Sequence, residues 1–206
     1  MSCTLILVRH AQTDLAGHFC GHSDPALNTQ GRLQLADLSE RLSKFPFTRV
    51  FSSDLQRAHQ TAEPIAKHCG LKVNVLPSLR EIAFAKWEGL TWAQIMAQDP
   101  VYAQHWLDLY PSIPAPGGER YDDFRDRIQS TMDAIAREVR EGCAAVVTHA
   151  GVIRTFLSEI VDAPDQPADL SKCDYTSCWE VRYEAGKWSL LKSSTSPSAA
   201  PLAATK

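Results

Sequence analysis

Short apolar runs alternate along the chain with longer segments in which apolar residues recur at helical spacing. The first run, residues 3–8, is too short for a helix and is rich in Leu, Ile and Val, so it predicts a buried strand that ends at Arg9-His10. The other predicted strands lie at residues 50–52, 73–76, 144–147, 177–183 and 188–191. The last two flank a Glu-Ala-Gly-Lys turn, which is typical of a hairpin.

Helices are predicted from the same pattern. In the most regular one, residues 121–139, the apolar positions are spaced by three or four residues. The others are expected at residues 29–42, 54–69 and 152–160. Asp54 is the expected N-cap of the second, and Gly70 directly follows its end. The alternation of strands and helices indicates an α/β fold, with three α/β/α layers around a mainly parallel central sheet.

The segment at about 84–120 differs from the rest of the chain. It carries aromatic residues among short helical patterns, namely Trp87, Trp92, Tyr102, Trp106 and Tyr110. We interpret it as a helical insertion that covers the sheet, within a single domain of residues 1–192. Its aromatic residues either line a substrate cover suited to a ring-bearing leaving group or belong to the core. Residues 193–206 are almost entirely Ser, Ala, Pro and Thr, which predicts a disordered tail.

Composition and charge narrow the classes of function. Hydrophobic residues make up 44% of the chain and charged residues 22%, close to the averages of soluble globular proteins. A net charge of -3 argues against a nucleic acid partner, because binding the phosphate backbone needs a basic surface. No apolar run is long enough to cross a membrane or to form a signal-peptide core, and the six cysteines contain no CxxC pair. We therefore expect a cytoplasmic protein with reduced thiols and with no metal ion or other cofactor.

Candidate chemistry lies at the ends of the predicted strands. Arg9 and His10 follow the first strand, and Arg57 lies just beyond the second. Glu81 comes after the third strand, and His149 directly follows a later one. Because ligands of open α/β sheets bind outside the carboxyl ends of the strands, we expect these side chains to share one end of the sheet.

These residue types suit a phosphate ester. The two arginines present planar charged forks that match a phosphate group, and the helix after His149 adds main-chain N–H donors. With the phosphate held, a neutral His10 is a competent nucleophile, while a protonated His149 would stabilise charge on the equatorial oxygens. Glu81 is placed to protonate the leaving alkoxide and then to deprotonate the attacking water. Each residue alone has an ordinary structural explanation, and their coincidence at several strand ends favours the site.

Five blocks of sequence, in collinear order between residues 5 and about 160, carry a resemblance to a known family. They are LVRHAQT at 7–13, GHSDPALNTQG at 21–31, SSDLQRAHQTA at 52–62, LREIAFAKWEG at 79–89 and VVTHAGV at 146–152. The chain resembles the histidine phosphatase superfamily, also called the phosphoglycerate mutase-like family, whose Arg-His signature the first block matches.

The resemblance implies roles that agree with the chemical argument. The implied catalytic residues are His10, which becomes phosphohistidine, Glu81, the general acid and base, and the phosphate-pocket residues His149, Arg9 and Arg57. Thr13 matches a family position whose hydroxyl lies near the phosphate, and Cys20, Gly21 and Gly151 are also predicted to bind phosphate or substrate. The chain also departs from the family pattern, since Ala16 stands where an Asn commonly contacts phosphate. That departure affects phosphate affinity rather than the chemistry.

One further block narrows the expected function. Residues 105–121 resemble the bacterial phosphatase branch that includes alpha-ribazole phosphatase. The resulting prediction is a metal-independent phosphomonoesterase that hydrolyses a small phosphorylated metabolite, with alpha-ribazole-5'-phosphate as a candidate substrate.

Three alternatives remain open. A cofactor-dependent phosphoglycerate mutase would share the pocket, although such proteins usually have a longer chain. A phospholigand-binding module would have the pocket without turnover. A metal enzyme is the third, because His10, His149 and Glu81 formally make a set of two histidines and one carboxylate, although two adjacent arginines would repel a divalent ion. The oligomeric state is not predicted.

Overall fold

A six-stranded mixed sheet forms the centre of the computed structural model, which describes residues 2–161 and 173–192. The strands are β1 Ser2–Arg9, β2 Phe47–Ser52, β3 Val73–Val75, β4 Glu141–Thr148, β5 Cys178–Glu184 and β6 Lys187–Lys192. Their order is β3-β2-β4-β1-β5-β6, with the first four parallel and the β5–β6 hairpin antiparallel at one edge. The predicted α/β fold with a mainly parallel sheet is confirmed.

The helices are α1 Thr29–Leu42, α2 Gln56–His68, α3 Trp92–Gln98, α4 Pro100–Leu109, α5 Tyr121–Val139 and α6 Ala150–Glu159. Helices α1 and α2 cover one face of the sheet and α5 and α6 the other, whereas α3 and α4 pack in a separate core. Two 3-10 turns, Pro77–Leu79 and Ala85–Trp87, connect β3 to α3. The strands and helices predicted from apolar spacing therefore exist, with bounds that differ by a few residues.

Alternation along β1 separates two cores, because successive side chains of a strand point to opposite faces of the sheet. Leu5 and Leu7 are buried with residues of α5 and α6 on one face. Ile6 and Val8 are buried with residues of α1 and α2 on the other. A short apolar run is enough to specify this strand, since both of its faces are covered.

A third core lies within the 84–120 segment. Trp87, Ile95, Ala103 and Ala115 are buried there, and aromatic side chains of α3, of α4 and of two preceding loops pack around them. That residues 1–192 form one domain stays a prediction. The predicted disordered tail at 193–206 lies outside the described residues.

The expected N-cap of α2 is wrong. The helix begins at Gln56. The main-chain N–H of Gln56 donates to Asp24 Oδ1 at 2.6 Å, so a residue of a distant loop caps the helix. Asp54 instead accepts a hydrogen bond from Arg80 Nε at 2.8 Å. This bond lowers the pKa of Asp54, because the neighbouring guanidinium favours the ionised carboxylate. The carboxylate expected to cap α2 therefore binds the guanidinium of Arg80, which is distant in the sequence.

Candidate active site

The carboxyl ends of β1 and β4 bring the two candidate histidines together. Arg9 is in register with Thr148, and the His10 main-chain N–H donates to Thr148 O at 2.9 Å. Each strand continues by one residue into a histidine, so the ring centroids of His10 and His149 lie 5.1 Å apart. The parallel pairing of two buried strands therefore produces the imidazole pair.

His10 is held in a form suited to nucleophilic attack. Its Nδ1 lies 2.7 Å from Ala11 O, and because a carbonyl only accepts, Nδ1 carries the proton. In the neutral ring the lone pair is then on Nε2. Burial lowers the pKa of His10 well below its ordinary value, and the charges of Arg57 and Arg9 lower it further. The imidazole is thus neutral near pH 7.

His149 is buried beside His10 without hydrogen-bond partners in the described part of the chain. Neither ring nitrogen has a hydrogen-bond partner among the described residues, and the side chain is buried. Burial lowers the pKa of His149 well below its usual range, with Arg57, His10 and Arg9 acting in the same direction. The ring is therefore neutral in the free protein near pH 7, and the protonated ring expected beside a bound phosphate stays a prediction. A phosphate dianion beside the ring would be needed to favour the cation.

Arg57 is a fully buried cation held by main-chain oxygens. Its Nη1 donates to Ser23 O at 2.6 Å and its Nη2 donates to Gly21 O at 2.8 Å, while Nε has no partner within residues 2–161 and 173–192. Among the described residues, no carboxylate lies within ion-pair distance of Arg57 or of Arg9. Since an unpaired buried charge is costly, this arrangement suits the binding of an anion.

Glu88 organises the loop that holds Arg57. Its carboxylate accepts hydrogen bonds from the main-chain N–H groups of Gly21 at 3.0 Å, His22 at 2.8 Å and Ser23 at 3.0 Å. Burial raises the pKa of Glu88, but the hydrogen bonds from Ser23 and its neighbours outweigh burial and leave it below its ordinary value. Sequence reasoning gave Glu88 no role, although it belongs to the Trp-Glu-Gly turn of a recognised block.

Glu81 is fixed at the cavity by two main-chain donors. Its Oε1 accepts from the Ile82 N–H at 2.9 Å, and its Oε2 accepts from the Gly151 N–H at 2.8 Å. A Cβ atom at position 151 would overlap the Glu81 carboxylate. Gly151, expected to bind substrate, therefore acts by letting the first turn of α6 approach Glu81.

These groups surround a cavity of about 280 Å³ at the carboxyl end of the sheet. The predicted site residues that line it are Arg9, His10, Thr13, Cys20 and Glu81. The others, Arg57, His149, Gly21 and Gly151, adjoin these lining residues: the His149 ring lies 5.1 Å from that of His10, Arg57 Nη2 donates to Cys20 O and Gly21 O, and the Gly151 N–H donates to Glu81. A larger open groove of about 1030 Å³ runs along α1 and α2 and contains none of the predicted site residues. The candidate active site is therefore identified by the residues that line the cavity and not by the volume of the cavity.

Thr13 and Cys20 form part of the cavity wall. Thr13 is buried and bridges to Leu27, which fixes the loop after β1. Burial raises the pKa of the Cys20 thiol, an effect that outweighs the nearby charge of Arg57. Cys20 is consequently a neutral thiol near pH 7 and not a competing nucleophile.

The aromatic residues that line the cavity are not those singled out from the sequence. Trp87 is only 5% exposed and belongs to the third core. Phe19 and Phe84 line the cavity instead, with ring centroids 5.0 Å apart. The ring of Phe19 also packs edge-on against that of Trp87, with centroids 5.6 Å apart, so this side of the cavity is in contact with the third core. Tyr175, another lining residue, was missed because it lies between recognisable elements.

In residues 2–161 and 173–192, no three His, Cys, Asp or Glu side chains are grouped as a metal site requires. None of the helices in these ranges combines the length and apolar character of a transmembrane segment.

The fold and the site define an α/β protein in which two buried histidines, two arginines and a glutamate lie at the carboxyl end of a mainly parallel sheet. The family model of the histidine phosphatase superfamily (branch 1) matches residues 5–195. The chain belongs to this superfamily, and the family predicted from its sequence is confirmed.

Individual members of the superfamily are similar to this chain. A bifunctional protein of Mycobacterium tuberculosis is 36% identical over 162 residues, which cover 77% of this chain but only 44% of that protein. This chain thus spans less than half the length of that relative. The adenosylcobalamin/alpha-ribazole phosphatase of Salmonella typhimurium is 28% identical over 194 residues, covering 91% of this chain and 89% of that protein. Among solved structures, a mycobacterial glucosyl-3-phosphoglycerate phosphatase superposes with a TM-score of 0.78 at 26% identity, covering 95% of this chain and all of its own.

Proposed function

We propose that this protein hydrolyses small phosphate monoesters without a metal ion, through a phosphohistidine formed on His10. One observation carries the proposal. In the described residues, four buried nitrogen atoms at the imidazole pair and the two arginines have no hydrogen-bond partner, namely Arg9 Nε, Arg57 Nε and both ring nitrogens of His149. A phosphate group supplies acceptor oxygens for the two arginine Nε–H groups, and its negative charge favours a protonated His149, whose two ring N–H groups then also need acceptors.

The first half-reaction transfers the phosphoryl group to the protein. His10 Nε2 attacks phosphorus with its lone pair, the bond from phosphorus to the ester oxygen breaks, and Glu81 delivers a proton to the leaving oxygen. Arg9 and Arg57 hold the equatorial oxygens, and the dianion favours proton uptake by His149. The hydrogen bond from His10 Nδ1 to Ala11 O, at 2.7 Å, keeps the ring oriented throughout the transfer.

The second half-reaction returns His10 to its starting form. The alcohol leaves, a water molecule takes its place beside Glu81, and the carboxylate removes a proton from this water as it attacks phosphorus. The bond from phosphorus to Nε2 breaks, and inorganic phosphate is released. Glu81 is suited to both steps because its two oxygens are fixed at the edge of the cavity by Ile82 and Gly151.

The walls of the cavity support a substrate with an apolar or ring-bearing alcohol. Leu15, Phe19 and Phe84 contribute apolar surface to the cavity that Arg9, His10 and Glu81 also line. Together with the likeness to an alpha-ribazole phosphatase over 91% of the chain, this makes alpha-ribazole-5'-phosphate the first compound to test. The partner proposed for this site is accordingly a small phosphorylated metabolite.

A phosphate-release assay tests this proposal. The purified protein should hydrolyse p-nitrophenyl phosphate at the same rate with and without EDTA. Loss of activity in EDTA would support a metal enzyme, and phosphate binding without turnover would support a binding module. A panel of alpha-ribazole-5'-phosphate, glucosyl-3-phosphoglycerate and 3-phosphoglycerate then ranks substrates. Formation of an isomer from 3-phosphoglycerate, in place of inorganic phosphate, would support a mutase.

A further inference from the structure

Residues 173–177 form a short strap that lies over Arg9, directly before β5. The Arg9 N–H donates to Ser177 O at 3.1 Å, and the Thr176 N–H donates back to Arg9 O at 3.1 Å. The guanidinium is bound as well, since Arg9 Nη1 donates to Cys173 O at 2.6 Å. The strap therefore fixes both the main chain and the side chain of this arginine.

The ring of Tyr175 covers one face of the guanidinium. Arg9 Cζ lies 3.9 Å from the ring centroid, a close cation–π arrangement. The same ring lies 5.6 Å from the ring of His10, measured between centroids, and it lines the cavity. Tyr175 is thus in contact with a phosphate-binding cation and next to the nucleophile.

The backbone beside Tyr175 is strained. Thr176 is fully buried and has a φ of 60°, in the left-handed region that β-branched residues rarely adopt. Arg41 Nη2 stabilises this conformation by donating to Thr176 O at 3.0 Å and to Thr176 Oγ1 at 3.3 Å. Strain that the surroundings hold in place is concentrated at functional sites. Here it turns the chain sharply between Tyr175 and β5.

We infer that Tyr175 is a positioning residue for phosphate binding, acting through Arg9. Its ring fixes the plane of the guanidinium so that the unpartnered Nε edge faces the phosphate. This inference rests on the phosphate site proposed above, but it requires only that the site binds phosphate and not that it turns over an ester.

Phosphate binding tests the inference without relying on catalysis. Inorganic phosphate is titrated calorimetrically into the wild-type protein and into Tyr175→Phe and Tyr175→Leu variants. The phenylalanine variant keeps the aromatic face and should bind phosphate within about twofold of wild type, whereas leucine should weaken binding roughly tenfold. Tyr183→Leu is the matched control. Tyr183 is a partly buried tyrosine on β5 that packs on Trp188 at 4.8 Å, so its variant should bind phosphate like wild type.

A double-mutant cycle with Arg9→Lys separates positioning from a general structural effect. Lysine keeps the charge but lacks the planar fork, so Tyr175→Leu should cost little further affinity in that background. Equal loss in both backgrounds would overturn the inference, as would a phenylalanine variant as weak as leucine. If leucine lowers the melting temperature, Tyr175→Met provides the same comparison. Phosphate binding by a wild-type protein that hydrolyses no ester would refute the proposed function and leave this test intact.

Discussion

The base and the rim of the cavity are built in opposite ways. The base consists of charged or titratable groups, each fixed by main-chain hydrogen bonds or by burial, as with Arg57 on the carbonyls of Ser23 and Gly21. The rim consists of apolar side chains, such as Phe19 and Phe84, that pack on one another and on the cover. A phosphate group is common to all phosphate monoesters, and the alcohol differs. We therefore expect changes at the base to affect every substrate and changes at the rim to alter the ranking of substrates.

The largest effect is expected at the nucleophile. His10→Ala removes the atom that accepts the phosphoryl group, so kcat/KM should fall by about 10⁴-fold or more for all esters. Steady-state kinetics with several esters measures this, and circular dichroism checks the fold. His68→Ala, at an exposed histidine of α2, is the control and should keep the wild-type rate. A His10 variant of nearly full activity would refute the assignment.

The next effect depends on the leaving group. Glu81→Gln removes the proton donor but keeps the shape of the side chain. Alkyl phosphates should slow by about 10²-fold or more, while p-nitrophenyl phosphate, whose leaving group needs little protonation, should slow much less. Glu40→Gln, at an exposed position of α1, is the matched control. Equal slowing of both classes of ester would count against the proton-donor role.

A smaller and selective effect is expected at the rim. Phe84→Leu reduces the aromatic surface of the cavity, so kcat/KM for ring-bearing esters should fall about tenfold relative to small alkyl phosphates. The dissociation constant of inorganic phosphate should not change, because the base is intact. Leu33→Ala, at a 67% exposed position of α1, is the control. A uniform loss across all substrates would mean that rim and base are not separable.

The smallest effect concerns stability and pH. The pKa values of His10 and His149 are lowered in the folded protein, mainly by burial, so the unfolded chain binds more protons below its ordinary histidine pKa of about 6.5. The free energy of unfolding should therefore fall as the pH drops from about 6.5 to 5, by up to roughly 1.4 kcal/mol per pH unit for each histidine.

Urea unfolding of the wild type and of His149→Asn measures this dependence. The variant lacks one of the two histidines, so its stability should depend less steeply on pH over the same range. Parallel curves would show that His149 is not held neutral in the folded protein.

The sequence predicted the base of the cavity better than its rim. Arg9, His10 and His149 were found because they directly follow short apolar runs, and the ends of parallel strands meet at one edge. Phe19 and Tyr175 belong to loops with no periodicity, so no pattern marked them. The lowered pKa of His149 results mainly from its burial and further from its distances to Arg57, His10 and Arg9, which only the folded structure gives.

Tertiary contacts also explain two other features that local sequence did not determine, the role of Asp54 and the position of Trp87. Asp54 has the sequence context of a helix cap, but Arg80, which is distant in the sequence, takes its carboxylate. The sequence of the 84–120 segment does not indicate which of its aromatic residues are buried, and in the structure Trp87 belongs to the third core. In both cases the local sequence is compatible with two roles, and contacts with distant residues determine which one the residue has.

Detection of the phosphorylated protein tests the central claim most directly. The protein is mixed with an activated aryl phosphate, quenched in alkali within milliseconds, digested, and analysed by mass spectrometry. A phosphoryl group that is stable to alkali and labile to acid should appear on the peptide that contains His10, and it should be absent from His10→Ala. Turnover with no phosphorylated peptide, or with the phosphoryl group on a different residue such as His149 or Cys20, would contradict the account.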